Sequence, residues 1–221
     1  MDILAAVLWD MDGVLVDTSA FHYQAWSEIM AENRIPFSWA QFRKTFGMNN
    51  RDMLTAILDR TPEPGLLAQL SEEKERRFRR AVRSRVRLCP GVEEWLVRLR
   101  AKGVKQAVAS SAPKPNIDLL LDELGIRPYF GAVLSGADLP GKPDPTLFLT
   151  AARRLEEPPR RCLVFEDAVA GVEAASHAGM RCIAVTTTHP ASALNGADLI
   201  VDGLDRLGMA DVMGLFKDGG L

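Results

Sequence analysis

Two carboxylates one residue apart, Asp10 and Asp12, come directly after the apolar run 4–9 and just before Gly13. So much negative charge in one place is costly unless a cation or a proton offsets it. Glycine at position 13 lets the backbone turn sharply there. Elsewhere the chain carries groups that complement this pair. Ser110 and Ser111 offer a hydroxyl and backbone N–H groups able to hold a phosphate oxygen. Lys142 is a cation on the proline-bounded loop Gly141-Lys142-Pro143-Asp144-Pro145, and Glu166-Asp167 is a second pair of acids. Acids, a hydroxyl and a lysine in this combination suit metal-assisted phosphoryl transfer.

Plainer readings exist for each group taken alone. Asp-rich turns form loops after strands, and Asp10 or the Glu166-Asp167 pair could cap a helix, as Asp144 is expected to do before Pro145. Ser110 could open a turn before Pro113, and Lys142 could be a surface lysine. A calcium loop of the EF-hand kind fails, because Val14 stands at its fifth position, where an oxygen ligand belongs. Leu15 stands at its sixth, where glycine is needed.

The joint pattern acquires meaning from the elements that carry it. Residues 4–9 read as a strand buried on both faces, of the kind found inside a parallel sheet. Residues 104–109, 132–134, 162–165, 181–185 and 199–201 read as further strands. Helical segments over 92–101, 116–124, 145–155 and 168–178 alternate with them. That alternation predicts a parallel sheet covered on both faces, a doubly wound, Rossmann-like α/β fold. Parallel strands present their C-terminal ends on one edge, so Asp10 and Asp12, Ser110 and Ser111, and Glu166 and Asp167 are expected to converge there. Between the first strand and the rest, residues 19–33, 39–46, 51–59 and 66–86 read as helices with no strand among them. The sheet domain is therefore expected to be discontinuous, residues 1–17 and 87–221, with residues 18–86 an all-α insert hung on a paired hinge. Residues 204–216 are expected to form a last helix and 217–221 to fray.

At 221 residues, with 47% hydrophobic and 25% charged residues, the chain has the composition of a globular protein with a sizeable core. A net charge of −2 gives no general pull toward nucleic acid or anionic membrane. No apolar run is long enough to span a bilayer, and no signal segment is evident, so a cytoplasmic location is expected. Cys89, Cys162 and Cys182 have no metal-ligand spacing and read as reduced cysteines, the last two in strand-like runs. The basic run from Lys74 to Arg87 follows Glu72 and Glu73, is interrupted by apolar positions, and reads as a solvated helix face that draws in anionic substrates.

The order Asp10-x-Asp12-Gly13, Ser110, Lys142-Pro143 and Glu166-Asp167 resembles the motifs of the haloacid dehalogenase superfamily across the whole chain. Trp9 stands where Phe often precedes the first Asp. The helical insert sits where that superfamily places one type of cap. Val16-Asp17-Thr18, His22, Ala25-Trp26, Phe46-Gly47, Arg51 and Lys74 are similar to the subgroup that contains beta-phosphoglucomutase and the small sugar-phosphate phosphatases. The resemblance implies Asp10 as nucleophile and Asp12 as proton donor and acceptor, with Lys142 and Ser110 on the phosphoryl oxygens. It implies Mg²⁺ held by Asp10, Asp12 through its carbonyl, and Asp167, with Glu166 a direct or indirect partner. His22 would close the hinge or steer Asp12, and Gly47, Arg51 and Lys74 would face the substrate. A Mg²⁺-dependent phosphatase acting on a small phosphorylated metabolite is the expected function. A phosphohexomutase is the alternative, and a non-catalytic phosphate-binding protein a weaker one. No nucleic-acid or membrane partner is expected, and the chain is expected to be a monomer or small homo-oligomer.

Overall fold

A computed structural model describes residues 3–216. Its strands are β1 (Ala6–Trp9), β2 (Lys105–Ser110), β3 (Ala132–Ser135), β4 (Cys162–Glu166), β5 (Arg181–Val185) and β6 (Leu199–Val201). They form one sheet in the order β3-β2-β1-β4-β5-β6, every neighbour parallel. β1 lies at the centre, where the strand order reverses, and Leu8 is in register with Ala107 of β2 and Val164 of β4. In doubly wound folds that reversal opens a crevice at the carboxyl edge, the usual place for a ligand.

Side chains alternate across a strand, and β1 feeds two cores. Val7 and Trp9 join one apolar cluster, with α5 (Val92–Ala101), α6 (Lys114–Glu123) and α9 (Met209–Gly214). Ala6 and Leu8 join the other, with α7 (Thr146–Arg154) and α8 (Val169–His177). Gln106 is buried inside the first face, where it takes the Trp9 indole N–H at 3.1 Å and gives its own amide to Leu96 O.

The insert is four helices, α1 (Ser19–Glu32), α2 (Trp39–Thr45), α3 (Asn50–Leu58) and α4 (Pro64–Val82). It has its own apolar centre of Trp26, Ile29, Met30, Phe42, Phe46, Met53, Leu54 and Leu70. Ser38 and Asn49 cap α2 and α3 by accepting from backbone N–H groups of the first turn. Ala25, Phe78 and Val82 face the other way and belong to the sheet-side core, which seats the insert on the sheet. Its two connections are joined: Val16 bridges Leu88, and Cys89 N donates to Leu15 O at 2.9 Å.

Two expectations need correction. The long helix stops at Val82 rather than continuing to residue 86, because Ser84 adopts φ 55 and its N–H is taken by Glu123 of α6. Residues 204–216 do not form one helix. A 3-10 turn at Leu204–Arg206 is pinned by the Trp95 indole, which donates to Leu204 O at 2.9 Å, and Leu207 and Gly208 are extended before α9 begins. Residues 217–221 lie outside the described residues. Cys162 and Cys182 are free and buried, as expected. No helix among the described residues is long and apolar enough to cross a membrane.

Candidate active site

Asp10 is the first residue past β1, and its N–H donates to Phe165 O of β4 at 3.0 Å. The side chain is almost fully buried and accepts from Lys142 Nζ at 2.6 Å. The same ammonium donates to Glu166 Oε1 and lies 5.0 Å from the centre of the Phe148 ring. The second oxygen of Glu166 accepts from the backbone N–H groups of Asp167 and Ala168, at 2.8 and 2.9 Å. Both oxygens of Glu166 are thus in use, one holding Lys142 and one turning the chain toward α8.

Asp167 comes round to the Asp10 loop. Gly13 sits at φ 88, and a Cβ there would collide with the Asp167 carboxylate, so this glycine is required both by its conformation and by the approach of an acid. Thr188 Oγ1 donates to Asp167. Burial is the main influence on both acids. It pushes Asp10 up to about 7 against the pull of Lys142, with Glu166 adding to the rise. Asp167 stands well above the usual carboxylate range through burial together with Glu166 and Asp10. Lys142 is also penalised by burial, yet Asp10 and Glu166 hold it above the ordinary lysine range. Asp10, Glu166 and Asp167 together outnumber the one lysine among them. This buried excess of oxygen-borne negative charge is the setting a hard cation relieves.

Among the described residues, no three His, Cys, Asp or Glu side chains form a ready-made metal cluster. The reason lies in where the carboxylates point. Glu166 is committed to Lys142, and Asp12 is turned away, accepting from Thr18 Oγ1 and from His22 Nε2 at 3.2 Å. Asp10 and Asp167 remain as side-chain donors, with the Asp12 carbonyl close by in sequence. Two carboxylates and a carbonyl, completed by water, is the kind of shell Mg²⁺ takes.

Asp12 is tuned in the opposite sense from Asp10. Burial raises its carboxyl, but His22, the Thr18 hydroxyl and Lys74 outweigh that and hold it below the ordinary range. The His22 ring stacks on Phe78 at 3.9 Å. Its Nδ1 lies 2.8 Å from Lys74 Nζ. An ammonium only donates, so Nδ1 accepts and it is Nε2–H that faces Asp12. His22 thus bridges Lys74 and Asp12 through its two ring nitrogens.

These groups line a cavity of about 50 Å³. Asp10, Asp12, Ser110 and Ser111 form its floor. His22, Gly47, Lys74 and the apolar surfaces of Trp26, Phe46 and Met48 form its roof. Gly47, at φ 87, brings the roof down until a Cβ there would press on Ala168, the residue after Asp167. The volume is small beside a phosphorylated metabolite. Arg51 is not in this cavity. It lines an adjoining cleft of about 560 Å³ that shares Asn50, Ser111 and Pro113 with it. The basic run faces outward in part: Arg77 is bound by Glu28, Glu32 and Glu73, which spends its charge locally.

Thr18 entered the sequence reading only within Val16-Asp17-Thr18, with no role of its own, while Thr188, Glu75 and Asn116 did not enter it as site residues. Thr188 is a single hydroxyl in a loop with no spacing signal. Glu75 looked like one more member of a charge run, yet it is 5% exposed. Its burial on the Lys74 side of α4 was the signal that helical phase could have supplied.

With this geometry in place, the comparisons fall into one group. The haloacid dehalogenase-like hydrolase pattern matches residues 4–179. The chain belongs to that family. It is an enzyme of the hydrolase type, with the subgroup's fold. A phosphorylated carbohydrates phosphatase of Thermotoga maritima is 32% identical over 185 residues, 81% of this chain and 84% of that protein. The chloroplastic 5-amino-6-(5-phospho-D-ribitylamino)uracil phosphatase of Arabidopsis thaliana is 29% identical over 208 residues, of which this chain spans 56% of the plant protein's length. The crystal structure of beta-phosphoglucomutase from Clostridium difficile superposes with a TM-score of 0.87 at 25% identity, covering 97% of each chain.

Proposed function

We propose that the chain is a Mg²⁺-dependent phosphatase of small phosphorylated metabolites, sugar phosphates foremost, working through an aspartyl phosphate on Asp10. The observation that carries this reading is the Asp10 carboxylate itself. It lies past the central strand, buried, 2.6 Å from a lysine and on the floor of a cavity.

In the first half-reaction an Asp10 oxygen attacks phosphorus and the ester oxygen leaves, taking a proton from Asp12. Asp12 must take that proton up on substrate binding, because His22, Thr18 and Lys74 favour its charged form beforehand. In the second, Asp12 withdraws a proton from water, which attacks phosphorus and returns Asp10 as a carboxylate. Positioned proton transfer of this kind is worth about 10²- to 10⁴-fold. His22 and Thr18 hold Asp12 in place for it. Lys142 favours the ionised form of Asp10, aligns it and, with Ser110 and Ser111, offsets charge on the phosphoryl oxygens. Asp10, the Asp12 carbonyl and Asp167 would hold Mg²⁺, which supplies charge neutralisation at phosphorus. Glu166 serves this reading through Lys142. The insert 18–86 acts as the cap over the core 1–17 and 87–221, with Gly47 and Lys74 on its inner surface and Arg51 reachable by a longer substrate.

A phosphohexomutase is the second reading, favoured by the close approach of Gly47 to Ala168, an arrangement that suits a roof able to shield the floor from water. Phosphate release across a panel of sugar phosphates, with and without Mg²⁺, tests the first. Conversion of beta-glucose 1-phosphate to glucose 6-phosphate without free phosphate would replace it with the second. Asp10→Asn should abolish both while leaving the unfolding transition in place.

A further inference from the structure

Glu75 follows Lys74 on α4, and its carboxylate is shared by donors from three helices. Lys74 Nζ reaches it at 2.9 Å on its own helix and Asn50 Nδ2 at 2.8 Å from α3. The third donor is Asn116 Nδ2, on the sheet side. Asn116 lies in the first turn of α6, is completely buried, and is followed by Ile117, a member of the sheet-side core. Its carbonyl oxygen accepts from Arg79 Nη1 at 2.9 Å. One core carboxamide is therefore gripped by an acceptor and a donor four residues apart on α4, positions that share a helix face.

The arrangement is demanding. A buried carboxamide needs both ends satisfied, and a buried carboxylate needs compensating charge or hydrogen bonds. Burial raises the Glu75 carboxyl, but Lys74, His22 and Asn50 outweigh it and hold the group in its charged form. Lifting α4 away from α6 would break both of Asn116's bonds at once. From Glu75 the contacts run on through Lys74 Nζ to His22 Nδ1, and from His22 Nε2 to Asp12 Oδ1. Seating of the helical layer and orientation of Asp12 share one line of contacts.

We propose that Asn116 is a positioning residue: its grip by Glu75 and Arg79 latches the helical layer onto the sheet and draws Lys74 and His22 into place against Asp12. The proposal rests on the role given to Asp12 above. It adds the residue through which closure of the roof is communicated to that acid. When the grip is broken, Glu75 keeps only Lys74 and Asn50, and the line that runs to Asp12 loses its anchor on the sheet side.

The test uses the full chain with Mg²⁺ and p-nitrophenyl phosphate as the probe, beside hydrogen exchange along α4, which needs no turnover. Asn116→Asp sets a carboxylate against Glu75 and should lower kcat/KM by about tenfold or more, within the range that positioned proton transfer controls. It should also speed exchange over α4. Adding Glu75→Gln restores a donor facing the new acceptor, leaves Arg79 paired and returns the group's net charge to its original value. The double variant should recover both readouts to within about threefold of the original, as a specific pairwise contact requires. Asn116→Ser removes both bonds without adding charge and should repeat the loss, which keeps the test valid if Asn116→Asp does not fold. Unchanged kcat/KM in folded Asn116→Ser, or a double variant still as impaired as Asn116→Asp, would overturn the latch. Failure of the unsubstituted chain to hydrolyse the probe would count against the phosphatase reading instead, with the exchange results still deciding whether the grip holds the roof down.

Discussion

On the sheet side of the cavity, Asp10, Ser110, Glu166 and Asp167 stand at the last residue of a strand or just past it. On the helical side, His22, Lys74 and Glu75 lie within helices and act on the floor through one another. The floor is placed by backbone: parallel pairing puts β1, β2 and β4 in register, and their ends coincide whatever the side chains are. The roof is placed by side chains, and its position depends on their contacts with one another. A phosphoryl-transfer centre gains from both. Charges around phosphorus must be preorganised, while admission of substrate and exclusion of water need a part that moves.

The largest test of that contrast is at the floor. Lys142→Met leaves Asp10 and Glu166 buried beside each other without their shared cation, and breaking a buried pair in this way costs about 3–5 kcal/mol. Turnover should vanish and the unfolding temperature should fall sharply. A variant as stable as the original would mean that the floor is less preorganised than its geometry indicates. At the roof, His22→Ala removes the Asp12 partner but no charge needed for folding of the sheet. Activity should drop on the order of 10²-fold, in kcat more than in KM, with a smaller fall in unfolding temperature than for Lys142→Met. A loss equal to that of Lys142→Met in both respects would erase the distinction between the two regions.

The smallest effect belongs to the same pairing of ions placed at the surface. Asp118 on α6 is held below the usual carboxylate range, first by its hydrogen bond from Lys114 and then by Arg127, working against slight burial. A carboxyl depressed in the folded state stabilises above its unfolded pKa, and that stability is lost as pH falls through the folded value. Asp118→Asn should therefore cost under about 1 kcal/mol at neutral pH, and nothing once the medium is acid enough to protonate the group. Thermal unfolding of both proteins at neutral and acid pH reads this directly. A neutral-pH loss matching that of Lys142→Met would show that burial is not what separates the two lysine pairs.

How much of this could be read in the chain follows the same division. Residues 162–165 were legible as a strand because every position from Cys162 to Glu166 is buried, which leaves a continuous apolar run ending in an acid. The same holds for β1 with Asp10. His22 and Lys74 could be picked out only through family resemblance, since helical phase alone marks Trp26 and Phe78 as strongly as either. Asn116 could not be found at all. Its function lies in bonds to residues 37 and 41 positions away, and a buried asparagine in a first helical turn has no local pattern. The end of the chain failed for a related reason, because the Trp95 indole outweighs the helical periodicity around Leu204.

The central claim is that Asp10 carries the phosphoryl group, and chemical trapping tests it most directly. Enzyme quenched during turnover of a sugar phosphate with Mg²⁺ is treated with borohydride, which reduces an acyl phosphate to the alcohol, and the peptides are read by mass spectrometry. The account predicts homoserine at position 10, dependent on both substrate and Mg²⁺ and missing when Asp12 is replaced by Ala only if that variant also fails to transfer. An unmodified Asp10 in an enzyme actively releasing phosphate, or modification at a different residue, would contradict it.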